Sequence, residues 1–192
     1  MTVPEAALEQ NEYGLMAAGR GWFVLNARDA RWFDFEGRGR TPGLQGTGDF
    51  PQLGLGLTVL EPGEPMSMYH WESDQEDFLV LSGEALLIAE GQERPLRQWD
   101  FVHCPPETRH VIVGAGDGPC VIFAVGALEN HTTGSRVDGT LEGRDDGGAY
   151  TVDEAALRHG AGVEEETIDA EVAYARFPEP EPTRYREGWL PG

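Results

Sequence analysis

The chain has 192 residues, of which 40% are hydrophobic, and its formal net charge is −20 at pH 7. This length and apolar content predict one folded domain with a sizeable core. So negative a chain repels nucleic-acid phosphates and anionic lipid surfaces, and we expect neither nucleic acid nor a membrane as a partner.

Two composition features narrow the chemistry further. Lysine is absent and all 14 cationic side chains are arginine, which excludes a Schiff-base lysine, a P-loop lysine and a lysine base. The two cysteines, Cys104 and Cys120, stand in apolar runs, which favours buried free thiols over a disulfide or a thiolate ligand.

Residues 1–12 are acidic and lack the pattern of a signal peptide. We therefore expect a cytoplasmic protein.

The N-terminal extension, residues 1–49, is expected to pack on the domain that follows it. Residues 1–20 carry few signals and are predicted to be irregular or briefly helical. The aromatic and β-branched content of residues 21–26 predicts a strand, and residues 31–35 are a second candidate strand. Residues 37–48 contain five glycines and a proline, which predicts a loop.

The central part of the chain, residues 50–127, has the spacing of an all-β domain. Several apolar segments are hydrophobic at both odd and even positions, so both faces of each strand would be apolar. This is expected where one face lines a barrel interior and the other meets a covering layer or a partner. Many short strands punctuated by Gly and Pro favour a sandwich or barrel. Hairpin turns are expected at residues 89–92 and 114–118. The predicted strands span residues 53–60, 66–72, 76–81, 84–90, 94–96, 100–104, 109–114 and 119–127.

The C-terminal extension, residues 128–192, opens with a polar, glycine-rich stretch. A short helix is predicted over residues 151–159, with Thr151 and Glu154 forming its capping box. A second helix is predicted over residues 164–176, where acidic side chains in the first turn suit the helix dipole.

The chain end is predicted to be extended and then to dock. Residues 177–182 alternate proline with other residues, which is typical of polyproline conformation. Tyr185, Trp189 and Leu190 follow within a few positions, a density of large apolar side chains that is rare in disordered tails. We expect an arm that packs on its own barrel or on a partner's; the alternative is a frayed end.

One stretch carries the candidate chemistry. In a strand, residues two apart share a face, so His70 and Glu72 point the same way. Glu76 heads an otherwise apolar row in the next predicted strand, and a second imidazole, His110, arrives after a proline-containing turn. If the first two strands pair as a hairpin, these groups converge, and two His with a carboxylate make a transition-metal site. The alternative is structural histidines and surface carboxylates.

Acid/base candidates accompany these ligands. Glu72 is a candidate fourth ligand or a catalytic acid/base. His103 lies on a strand heading toward the site and is a second catalytic candidate; the alternative is a packed histidine bonded to backbone. His131 and His159 are predicted to be structural or solvated.

The first half of this pattern resembles the cupin superfamily. Its usual first motif is Gly, a short gap, His-x-His, a short gap, Glu, six residues and Gly. Gly63, His70, Glu76 and Gly83 fill those slots, and Glu72 replaces the second His.

The usual second cupin motif is Gly, five residues, Pro-x-Gly, two residues, His, three residues and Asn. Pro105 and His110 match it, while Trp99, Glu107 and Gly114 depart from it. The resemblance covers roughly residues 50–127.

The resemblance implies an all-β fold: a single cupin-type jelly-roll β-barrel with an N-terminal extension and short C-terminal helices. It implies one divalent transition metal (Fe, Mn, Zn or Ni) held by His70, Glu76 and His110, with Glu72 a ligand or a nearby acid/base. The implied partner is a small organic molecule, and the implied activities are dioxygenase, isomerase or decarboxylase. Because Fe(II) oxygenases often use two His and a carboxylate, dioxygenase leads; the alternative is a non-catalytic binding or structural barrel. Strands apolar on both faces and the aromatic arm also predict a homodimer.

Overall fold

The computed structural model describes residues 2–46, 52–128 and 147–192, and within them the chain is almost entirely β-structure. The strands are β1 Ala7–Asn11, β2 Gly14–Ala18, β3 Arg31–Asp34, β4 Arg40–Pro42, β5 Leu53–Leu60, β6 His70–Glu72, β7 Glu76–Ser82, β8 Glu84–Ala89, β9 Gln92–Arg97, β10 Phe101–Cys104, β11 His110–Ala115, β12 Cys120–Ala127, β13 Gly148–Tyr150 and β14 Glu181–Arg184. The helices are α1 Glu154–Arg158 and α2 Ala170–Ala173.

Two antiparallel sheets form the body of the domain. The larger has seven strands in the order β10-β7-β12-β5-β4-β3-β14, and the smaller has five in the order β13-β6-β11-β8-β9. Strands adjacent in sequence repeatedly fall in different sheets, which is the connectivity of a jelly roll. The prediction of an all-β cupin-type jelly roll is confirmed.

The inner core lies between the two sheets and comes from alternate positions of their strands. Phe78 and Val80 of β7 face Leu87, Ile112 and other buried side chains of the same cluster. Burying an aliphatic or aromatic side chain of this kind stabilises the fold by roughly 1.5–3 kcal/mol. Because the same alternation turns Glu76 inward, this core also positions the candidate site.

The two terminal extensions cover part of the outer face of each sheet. Ala155 and Ala156 of α1 pack with Tyr69 against the smaller sheet. On the larger sheet Trp32 of β3 is fully buried, and the rings of Tyr185 and Trp189 lie 5.7 and 5.1 Å from it. The chain end therefore packs on its own domain.

The N-terminal extension differs from the prediction in three places. Residues 1–20 contain the β1–β2 hairpin instead of helix or irregular chain; every residue of β1 is exposed, so no burial pattern marked it. Residues 21–26 form no strand: the β-pairing in this range is a single bridge between Trp22 and Glu5, and the Asn26 carbonyl accepts hydrogen bonds from a turn instead. The predicted loop over residues 37–48 contains β4, which continues the larger sheet.

Two predicted hairpins are absent for the same topological reason. Strand β6 belongs to the smaller sheet and β7 to the larger, so they face each other across the core instead of pairing. Likewise β11 and β12 lie in different sheets, and residues 114–118 cross from one to the other. The turn at residues 89–92 is a hairpin as predicted, joining β8 to β9.

The helices are shorter than predicted. Asp153, not Thr151, caps α1, and its carboxylate accepts a hydrogen bond from the Ala156 amide. The second predicted helix is reduced to α2 because Thr167 exchanges two backbone hydrogen bonds with Tyr150, which holds this residue in a bridge to β13. Among the described residues, no helix is long and apolar enough to cross a membrane.

Candidate metal centre

Two imidazoles meet on the inner face of the smaller sheet. His70 of β6 and His110 of β11 are Cα partners in the antiparallel register, so their side chains leave the same face. Their ring centroids lie 5.1 Å apart. The antiparallel register thus brings together two histidines that are 40 positions apart in the sequence.

Glu76 approaches the two imidazoles from the opposite sheet. Its Oε2 lies 3.3 Å from Nε2 of His110 and 3.8 Å from Nε2 of His70. One ligand atom from each of the three residues lies within 4.8 Å of the other two. His70, Glu76 and His110, called here the three-ligand group, thus converge as the sequence predicts.

Backbone carbonyls orient both rings. Nδ1 of His70 lies 2.7 Å from the Met68 carbonyl oxygen, and Nδ1 of His110 lies 3.0 Å from that of Thr108. Because a carbonyl oxygen only accepts, each Nδ1 carries the proton and donates it. In a neutral imidazole with this tautomer, Nε2 carries the lone pair that is available to a metal ion, the arrangement that metal-ligating histidines use.

The centre of the group contains polar atoms that the protein does not satisfy. Oε2 of Glu76 and Nε2 of His110 are buried, and neither has a hydrogen-bond partner among the described residues. Buried polar atoms without partners are costly and call for an explanation. A divalent cation would satisfy both at once, so the donor set fits a metal ion.

The electrostatics of the site also favour positive charge. Burial by itself lowers the pKa of His110, but the adjacent Cys104 thiol and the Glu76 carboxylate outweigh it and raise this pKa to about 10. The site therefore attracts a cation, which is either a proton on His110 or a metal ion.

Glu72 stands at the edge of the three-ligand group. Its Oε1 lies 3.6 Å from Nε2 of His70, and its side chain is 30% exposed. Its Cα partner on β13 is Gly148, which has no side chain to fill the space opposite. This position suits a fourth ligand or an acid/base that contacts a bound molecule, and both assignments stay predictions.

His103 lies away from the three-ligand group. Its Cα partner is Asp77, whose Oδ1 lies 2.6 Å from Nδ1 of His103. Because Asp77 alternates with Glu76 along β7, this pair projects from the outer face of the larger sheet, where the His103 side chain is 49% exposed. A catalytic role for His103 is not supported by this placement. His159 contacts Glu93 on the surface, and His131 lies outside the described residues.

Sequence reasoning missed two tyrosines beside the site. Tyr150 of β13 is the Cα partner of His70, with ring centroids 5.8 Å apart. Tyr174 packs edge-on to Tyr150 at 5.5 Å, and its hydroxyl accepts a hydrogen bond from the Met68 amide. Burial raises the pKa of both phenols, so they stay protonated. No local signal marks them, because they reach the site through pairing of the C-terminal extension with β6.

The protein is a two-sheet antiparallel jelly roll in which two His and a Glu meet between the sheets. This combination places it among small β-barrel proteins with a candidate metal centre. Residues 56–126 match the family model of the cupin domain. This segment of the chain is therefore a cupin domain.

Solved structures of other cupins are similar over part of the chain. A Cupin 2 conserved barrel domain protein from Salinispora arenicola is 30% identical, over 40% of this chain and 63% of its own, with a TM-score of 0.37. A sugar phosphate isomerase from Silicibacter pomeroyi is 26% identical, over 53% and 61% of the two chains, with a TM-score of 0.39. The chain thus spans less than two thirds of the length of either. No curated protein matches the sequence.

Proposed function

We propose that this chain binds one divalent transition metal ion per protomer through His70, Glu76 and His110, and uses it to hold or convert a small organic molecule. The observation that carries the proposal is the pair of buried atoms without hydrogen-bond partners, Oε2 of Glu76 and Nε2 of His110, 3.3 Å apart. Nitrogen and oxygen donors of this kind suit Fe, Mn, Zn or Ni.

The residues around the group indicate how a small molecule would be handled. A metal ion there would supply Lewis acidity and open positions for oxygen atoms of the bound molecule. Glu72, beside His70 and partly exposed, is placed to accept a proton from that molecule. Tyr150 lies on the other side of His70, where its buried, protonated ring would flank that molecule.

Among activities, a dioxygenase leads, because two His and one carboxylate are the usual facial ligands of non-haem Fe(II) oxygenases. Isomerase or decarboxylase chemistry would use the same Lewis acid with Glu72 as base. A non-catalytic binding barrel is the alternative. Small molecules that raise the melting temperature of the metal-loaded protein should be assayed for turnover; binding without turnover, unaltered by Glu72→Gln, would favour the non-catalytic barrel.

The metal proposal is tested by elemental analysis of the purified protein and by calorimetric titration with Mn(II), Zn(II) and Ni(II). Wild type should hold one ion per chain. His110→Ala should weaken metal binding by at least about 100-fold. Removing only a residue that hydrogen-bonds to a metal ligand already lowers metal affinity by about 10–100-fold, and His110 is proposed as a ligand itself. His159→Ala, a surface histidine outside the group, is the matched control and should bind normally. Full occupancy in a folded His110→Ala variant would refute the ligand assignment.

We also propose a homodimer formed through the outer face of the larger sheet. Phe101 is 63% exposed there, and its Cα partner is Leu79; Leu53 and Leu55 extend the apolar face along β5. The C-terminal arm packs on its own domain, so the dimer does not require the two protomers to exchange arms. Sedimentation should give a dimer that Phe101→Glu dissociates, and a wild-type monomer at micromolar concentration would contradict the proposal.

A cytoplasmic location stays a prediction, which the two free thiols support.

A further inference from the structure

We propose that the thiol of Cys104 is a fourth donor of this metal centre. The inference rests on the proposed function and deepens it: the donor set becomes two imidazoles, one carboxylate and one thiolate. Such a set favours thiophilic ions such as Zn(II), Ni(II) and Co(II) over Mn(II), because soft sulfur selects them. The sequence pattern alone favours a plain buried thiol, and the strand register changes that interpretation.

The register places Cys104 beside Glu76 on the inner face. Cys104 ends β10, and its Cα partner is Glu76, the first residue of β7. Directly opposite residues of an antiparallel pair project from the same face. Cys104 is therefore turned into the space between the sheets, where it is only 3% exposed.

The thiol contacts the imidazole that lacks a partner. His110 is 2% exposed and lies against Cys104. Because Nδ1 of His110 is bonded to the Thr108 carbonyl, Nε2 is the ring nitrogen left for the site, and it is unsatisfied. The sulfur lies outside the three-ligand group, so coordination requires a local adjustment of the Cys104 side chain.

Burial separates Cys104 from Glu72, the other candidate for the fourth position. Glu72 is partly exposed and can be hydrated, whereas Cys104 belongs to the inner core with Phe78. A thiolate in such surroundings is costly unless a cation adjoins it, and a coordinating thiol is deprotonated outright. On metal binding the sulfur would lose its proton to solvent and donate an electron pair to the ion, with no oxidant or reductant required.

Cobalt(II) is the probe that reports on this sulfur. Wild type loaded with Co(II), without oxygen and with a reductant that does not bind metal, should show the near-ultraviolet charge-transfer band of thiolate–cobalt bonding. Cys120 provides the matched control because it is also buried in the inner core. It is the first residue of β12 and pairs with Leu60, whereas Glu76 pairs with Gly126 near the last residue of the same strand. Cys120→Ser should keep the band and Cys104→Ser should lose it.

Affinity provides a second readout. Cys104→Ser should weaken Zn(II) binding by at least about 10–100-fold, the usual cost of altering groups around a metal. Mn(II) binding should change much less, since Mn(II) prefers oxygen donors.

The outcomes separate this inference from the proposed function. If wild type binds no Co(II), the proposed metal site itself fails. If wild type binds Co(II) without the band, or if Cys104→Ser binds Zn(II) as tightly as wild type, the Cys104 assignment is overturned and the three-ligand site stands. If Cys104→Ser does not fold, a band that persists in Cys120→Ser still identifies Cys104, because the chain has two cysteines.

Discussion

Replacing Glu76 by glutamine tests the electrostatics of the site with the metal removed. The change keeps the side chain's size and deletes a charge 3.3 Å from Nε2 of His110. Two unit charges at that distance attract by about 5 kcal/mol at an effective dielectric constant of about 20. The rise in the pKa of His110 from 6.5 to about 10 corresponds to about 5 kcal/mol as well. Because Cys104 contributes to that rise, we assign about 2 kcal/mol to Glu76.

The direction of the pH effect follows from linkage. The pKa of His110 is higher in the folded than in the unfolded chain, so protonation of His110 stabilises the fold fully below pH 6.5, and this contribution is lost as pH rises through about 10. Metal-free wild type should therefore lose about 2 kcal/mol more unfolding free energy between these pH values than Glu76→Gln does.

The assay is urea unfolding in the presence of a chelator, near pH 6 and near pH 10. Glu84→Gln, which removes an exposed carboxylate from β8, is the control and should follow wild type. If wild type and Glu76→Gln lose equal stability over this range, Glu76 does not hold the proton on His110 and the reasoning is wrong.

Three further predictions follow from the same contacts. Because a metal ion must displace the proton of His110, apparent metal affinity should rise by at least about tenfold per pH unit between 6.5 and 10, and more steeply where the Cys104 thiol also loses its proton; a flat calorimetric profile would contradict this. Glu72→Gln should weaken metal binding by about 10-fold or more if Glu72 is a ligand, but lower only turnover if it is the base; no change in either would make it a bystander. Trp189→Ala should lower the unfolding free energy by about 2 kcal/mol in urea, roughly half the cost of a fully buried Trp, because its ring packs on Trp32; a loss below about 0.5 kcal/mol would show that the arm does not stabilise the domain.

The strands of the central barrel were predictable because each carries its own evidence. Alternation along β7 places Glu76, Phe78 and Val80 on one face, and the structure has all three facing inward. The turn between β7 and β8 was equally readable: Gly83 has φ of +75°, and a Cβ there would lie 2.6 Å from the Pro119 carbonyl oxygen.

Elements that owe their form to a distant partner were not predictable. Strand β1 buries nothing and exists only through its pairing with β2. The predicted helix over residues 164–176 contains good helix formers, yet Thr167 is held by Tyr150 of β13. Propensity is a weak prior that tertiary pairing overrides.

The identity of the three ligands was encoded locally, because strand alternation and the rarity of histidine single them out. Their meeting point was decided by the tertiary structure, since β6 and β7 lie in opposite sheets and His70 meets His110 only through antiparallel register. The same register brings Tyr150 and Cys104 to the site from strands whose own sequences carry no sign of it. Side-chain period fixes which face of a strand a residue occupies, but register between distant strands depends on how whole sheets pack.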